Sequence, residues 1–156
     1  FDRDTIEMRL TDSQESAAAD LAVTQLIAEL VRALVEERWS SHAAQRAWPV
    51  DPLAELFDLT VREADGALIA NPEYLTVLGL ERGAPRSGRE VWAQLLERLE
   101  DRLDPASRAH HGSYLGHGTL ARRLVTRLGH DPALEALQEA GRELVSCFEE
   151  NRSFLP

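Results

Sequence analysis

The 156-residue chain contains no lysine: all 17 of its basic residues are arginine. This excludes a Schiff-base lysine and the lysine of a phosphate-binding loop. A single cysteine, Cys147, excludes an internal disulfide and fits a reducing cytoplasm. It falls on the apolar side of the last helical pattern, where a buried structural thiol is expected. The single methionine is Met8. Every apolar run is broken by charge well before 18 residues, so no membrane span is predicted. No signal-peptide pattern is visible. With 27 acidic against 17 basic residues the net charge is −10, which argues against nucleic acid as a partner. No Ser-His-Asp or Cys-His constellation stands out, and no 20–50-residue repeat is present.

What is there reads as one mainly α domain of about five to six helices with one N-terminal strand. Thr5 to Leu10 alternates with the two-residue period of a strand, with Ile6, Met8 and Leu10 on one face and Glu7 and Arg9 on the other. The chain turns through residues 12–16 and enters a helix predicted to run to about Arg38. Its apolar face carries Val23, Leu26, Ile27, Leu30, Val31, Leu34 and Val35, and its polar stripe is Gln25, Glu29, Arg32 and Glu36. Leu30 is expected among the most buried residues. No downstream segment reads as a partner for the strand, and the chain begins at Phe1, so the expectation is a C-terminal part of a longer protein. The domain division that follows is residues 1–15 as strand and turn, and 16–156 as a helical domain.

Downstream, Asp51-Pro52, Asp104-Pro105 and Asp131-Pro132 each read as helix starts, with the aspartate as cap and proline at the first helical position. Leu53, Leu56, Phe57 and Val61 mark one core face, and Leu134, Leu137, Leu144, Val145 and Phe148 another. Residues 67–86 read as irregular or briefly extended, anchored by Tyr74, Leu75, Val77 and Leu78. Ser87 and Glu90 form a capping box, opening a helix with a stripe of Trp92, Leu95, Leu96, Leu99 and Leu103. The helix after Pro105 should fail near Gly112. Another runs from about Thr119 to Leu128.

Two groups of residues suggest chemistry. A carboxylate and a guanidinium on one strand face, Glu7 and Arg9, suit a site holding a divalent metal and a phosphate together; the competing reading is surface ionic decoration. Between Pro105 and His130 there is no acidic residue, yet Arg108, Arg122, Arg123, Arg127 and four of the five histidines lie there. Within it, Gly116 to Arg123 leads glycines into a helix N-terminus, an anion-binding arrangement using Gly118, Thr119, Arg122 and Arg123. The competing reading is a loop and a solvated basic face. His110, His111 and His117 lack ligand spacing and are read as surface histidines.

Asp4-Thr-Ile-Glu-Met-Arg-Leu-Thr-Asp-Ser-Gln14, followed by Ala19-Asp20-Leu21 and a helix ending Leu30-Val-Arg-Ala-Leu34, resembles the glutamate–cysteine ligase family, in its bacterial carboxylate–amine ligase branch. The resemblance implies that Glu7 coordinates Mg²⁺, that Arg9 reaches the nucleotide phosphate or reacting group as a catalytic and cofactor-binding residue, and that Asp12 fills the motif's acidic position. It implies ATP and Mg²⁺ as cofactors, a small-molecule carboxylate and an amine as substrates, and amide formation through an acyl phosphate. It also places the strand in an antiparallel sheet of the full enzyme, related to that of glutamine synthetase, whose other strands supply further carboxylates. The alternative is a non-catalytic helical module for dimerisation or other interaction.

Overall fold

A computed structural model describes residues 7–8 and 11–155. The expected strand at Thr5–Leu10 lies outside the described residues except for Glu7 and Met8, and Arg9 lies outside them altogether. Among the described residues the architecture is mainly helical, with six helices of nine residues or more, two shorter ones and a two-stranded antiparallel sheet. No helix among the described residues is long and apolar enough to cross a membrane.

The first helix, α1 (Ala17–Val35), starts where Ser16 takes extended backbone angles and its hydroxyl accepts the Ala19 amide. It stops at Val35, short of Arg38, because Glu37 adopts the left-handed conformation, φ 54°. Its neighbours are α5 (Gly88–Leu99) and α6 (Pro105–His117). Between α1 and α5 lies α2 (His42–Arg46), then α3 (Val50–Glu63), a 3₁₀ turn at Ala64–Gly66, strand β1 (Leu68–Ile69), α4 (Pro72–Val77) and strand β2 (Arg86–Ser87). The strands pair with Leu68 opposite Ser87 and Ile69 opposite Arg86. Residues 67–86 are thus more regular than their punctuation suggests. Asn71 caps α4 through two backbone amides, and Leu75 is fully buried. The chain closes with α7 (Leu120–Leu128) and α8 (Leu134–Glu150).

Two apolar clusters make the core. Ile69, Leu75, Leu78, Leu80, Val91 and Leu95 form one, and Leu26, Ala33, Leu99 and Leu103 the other; Leu30, Trp39 and Trp92 pack against both. Gly79 seats Trp39: its φ is +74°, and a Cβ there would come within 2.5 Å of the indole.

Several expected faces turn out differently. In α1, the deeply buried positions are Ala22, Leu26 and Ala33, while Leu30 is only half-buried. Val23, Ile27 and Val31 line an open groove, and Glu29 from the expected polar stripe is buried. Glu29 tolerates this because Arg32 and Arg102 reach it. Leu26→Ala should therefore cost about 2–5 kcal/mol and Leu30→Ala less; urea unfolding of the two variants checks the order.

α3 has no buried residue, and Leu53, Phe57 and Val61 are exposed. α8 buries Ala140 and Cys147 and exposes Leu134, Leu137, Val145 and Phe148. Both stripes are apolar; Leu56 packs against the core and Leu144 is half-buried, but the described fold leaves the rest of each stripe exposed. α3 and α8 are capped by Pro49 and Ala133, so Asp51 and Pro52 lie within the first turn of α3, and Asp131 and Pro132 precede α8. α6 passes through Gly112 and ends at Gly118, φ +87°. One interior glycine costs only about 1 kcal/mol relative to alanine, and the buried Ser107 and His111 hold this helix to the core.

Candidate functional site

The first candidate group sits where the leading segment meets α1. Glu7, Met8, Thr11 and Asp12 are exposed. Met8, Thr11, Asp12 and Ser13 form one wall of a groove of about 690 Å³; Asp20, Val23, Thr24, Ile27, Ala28 and Val31 of α1 complete it. Apolar side chains of α1 and the carboxylate residues Asp12 and Asp20 line the groove together. The turn is tied down locally: the Gln14 amide donates to Asp20 Oδ1 at 2.9 Å, and Gln14 Nε2 donates to the Asp12 carbonyl at 2.7 Å. Among the described residues no group of three or more His, Cys, Asp or Glu side chains is placed to hold a metal ion.

The second candidate group, Gly118 to Arg123, is pulled in two directions. Thr119 caps α7 by accepting the Arg122 amide, so the sequence places this helix start correctly. The two arginines that follow point to different partners. Arg123 is buried: its side chain is 5% exposed and that of Glu15 is 2% exposed, with Arg123 Nη1 donating to Glu15 Oε1 at 2.7 Å. The same guanidinium donates to the carbonyls of Gly118 and Phe154. It therefore joins the base of the leading segment, the start of α7 and the C-terminal tail. Glu15 Oε2 is buried with no hydrogen-bond partner among the described residues.

Arg122 goes to Asp65 instead. That carboxylate, 1% exposed at the end of α3, holds two guanidiniums side-on. Arg122 Nε and Nη2 donate to Oδ1 at 2.8 and 2.6 Å, and Arg89 Nε and Nη2 donate to Oδ2 at 3.0 and 2.6 Å. Burial alone would raise the Asp65 carboxyl, but the hydrogen bonds and charges of Arg122 and Arg89 outweigh it and hold it below the ordinary carboxylate value. Tyr114 lies beside this cluster, its ring edge-on to Trp92 at 6.4 Å. Burial pushes its hydroxyl up to about 12, with the Asp65 charge adding to the effect.

Gly118 lies against both arginines. A Cβ there would meet Arg122 Cδ at 2.8 Å and Arg89 Nη2 at 2.9 Å, and its φ of +87° is a conformation that glycine adopts without strain.

Asp65, Arg89, Glu15 and Tyr114 were not legible as a site. Asp65-Gly66 reads as a helix stop, and Arg89 sits inside a capping box. One signal was present: with no acid between Pro105 and His130, any carboxylate partner of Arg122 and Arg123 has to come from distant sequence.

The remaining reactive groups are structural. Cys147 is fully buried, and desolvation raises its thiol above the ordinary value. His111 is also buried, contrary to a surface reading, because its Nε2–H donates to the Ala22 carbonyl at 3.0 Å and fixes α6 to α1. Burial pushes this imidazole below its usual value; the Ala22 hydrogen bond opposes the shift, and the neighbouring His110 charge adds to it. The folded ring is thus neutral where the unfolded one begins to take up a proton. His111's contribution to stability is complete above about pH 6.5 and is lost as pH falls through the lower folded value. In urea melts, His111→Gln should lose less stability than wild type between about pH 7 and pH 5.

In comparisons with known proteins, the chain matches no protein-family model, no curated protein and no solved structure.

Proposed function

We propose that the chain is the C-terminal, mostly helical part of an ATP- and Mg²⁺-dependent carboxylate–amine ligase of the glutamate–cysteine ligase type. Its substrates would be a small-molecule carboxylate and an amine. The reading rests on the resemblance of residues 1–38 and on one observation of position. Glu7 and Asp12 are both exposed, with Asp12 on the wall of the open groove along α1. The motif's acids are therefore accessible to a ligand.

The described residues do not make a metal site by themselves. In this reading Glu7 contributes one hard oxygen ligand to a set completed by other strands of the enzyme. The metal, when bound, supplies charge neutralisation at phosphoryl oxygens. Arg9 supplies a guanidinium fork for a phosphate or the reacting carboxylate. Gly118, Thr119 and Arg122 are assigned to the anionic side of the nucleotide. Arg123 is assigned to folding, because its guanidinium is buried against Glu15 and two carbonyls. The test is ADP formation by the full-length protein that needs carboxylate and amine together, compared between wild type and Glu7→Gln.

A second reading, a helical interaction module, is favoured by a specific observation. Val50, Leu53, Phe57 and Val61 lie three or four residues apart on α3, and all are exposed. Such a stripe suits a partner surface, whether a second copy or the rest of a larger enzyme. ADP formation that ignores the carboxylate and amine, or none at all in the full-length protein, would favour this module.

A further inference from the structure

The cluster around Asp65 carries more positive charge than its own folding role uses. One carboxylate faces two guanidiniums, leaving one positive charge over in a chain of net charge −10. Asp65 binds each arginine through the Nε–Nη2 edge, so both guanidiniums are fixed and their Nη1 groups face away from it. Among the described residues, no acceptor lies on Nη1 of Arg89 or of Arg122. Their side chains are 35% and 46% exposed, so both reach solvent. Gly118, itself buried, packs against Arg122 Cδ and Arg89 Nη2 and helps hold the two arginines where Asp65 places them.

We propose that Arg89 and Arg122, preorganised by Asp65, bind a small oxyanion, a carboxylate or a phosphate, through their outward guanidinium edges. The chemistry is that of the guanidinium fork: planar paired donors matching the two oxygens of one anionic group. Preorganisation matters because a free arginine side chain has to be ordered before it binds, and here a buried carboxylate has already ordered two. The inference shares Arg122 with the nucleotide assignment of the ligase reading and deepens it, but it uses no residue of the Glu7–Arg9 motif, so loss of activity in Glu7→Gln and loss of oxyanion binding at Arg89 and Arg122 are separate outcomes.

The test titrates the full chain with inorganic phosphate in one arm and L-glutamate in the other. The side-chain Nε–H resonances of Arg89 and Arg122 are followed by NMR, with sodium chloride as an ionic-strength control. A saturable shift at these two arginines, absent with chloride, is the expected result; the arm that saturates at lower concentration identifies the oxyanion. Arg89→Lys and Arg122→Lys keep a charge on Asp65 but remove a fork, and each should weaken binding about tenfold or more. A lysine variant that unfolds does not remove the test, because the wild-type resonances report binding directly. Shifts that track ionic strength alone, or saturable binding unaffected by both folded variants, would overturn the proposal.

Discussion

Glu7→Gln in the full-length protein is expected to leave the fold intact and to remove most ATP-dependent amide formation. The substitution keeps size and hydrogen-bonding capacity and deletes only the charge that a hard cation requires. Glu7 is exposed, so its replacement opens no core cavity, and thermal stability should change little. Loss of activity should exceed the roughly 10–100-fold seen when only a partner supporting a metal ligand is removed. Residual turnover should need more Mg²⁺. Arg9→Lys should also be costly, because a point charge does not reproduce two parallel donors on one phosphate. The deciding comparison sets melting temperature against turnover for the same variants. Full activity in Glu7→Gln would end the ligase assignment for this motif. A large loss of stability with no change in Mg²⁺ dependence would make Glu7 a structural residue and favour the helical-module reading.

The second large effect is expected at Arg123. Arg123→Ala leaves Glu15 buried with neither oxygen paired, since Oε2 already has no partner among the described residues. Breaking one side of a buried pair costs about 3–5 kcal/mol, a large share of the roughly 5–15 kcal/mol that holds a typical domain together. The Gly118 and Phe154 carbonyls lose their donor in the same step. Replacing both partners, Glu15→Leu with Arg123→Met, should recover much of the loss, because the uncompensated charge disappears. Denaturant unfolding of the two single variants and the double variant measures the coupling. A cost below about 1 kcal/mol for Arg123→Ala would contradict a buried pair. A variant that folds normally but loses ATP affinity would return Arg123 to the nucleotide role that the sequence suggests.

The acidic limb of the stability curve has a defined contributor. Asp65 has its pKa lowered in the folded state, so its stabilising effect is present above the unfolded value, about 4, and is lost as pH falls through the lower folded one. His111 acts in the same direction at higher pH. The His111 loss begins at about pH 6.5 and the Asp65 loss at about pH 4, so His111→Gln reports on the upper end of the limb.

Where helices begin was largely written in the local sequence. The Ser87–Glu90 box and Asp104 before Pro105 cap the helices they were read to cap, and the helix expected from about Thr119 starts there. A cap is decided over three or four residues, so no distant contact has to be known. The mainly α character follows from the same local signals, as do the Leu95–Leu99–Leu103 stripe and the burial of Cys147. Which apolar faces are covered was decided only in three dimensions. The stripes on α3 and α8 are as regular as the one on α5, but packing against α1 and α6 buries α5 alone among the three in a continuous core. The same holds for charge. Asp65 is 57 residues from Arg122, and Glu15 is 108 from Arg123, so their pairing depends on chain crossings that no local period encodes. Adjacent arginines of identical chemistry thus acquire different roles, one sealed in the interior and one held at the surface with an open edge, because only the fold decides which carboxylate each can reach.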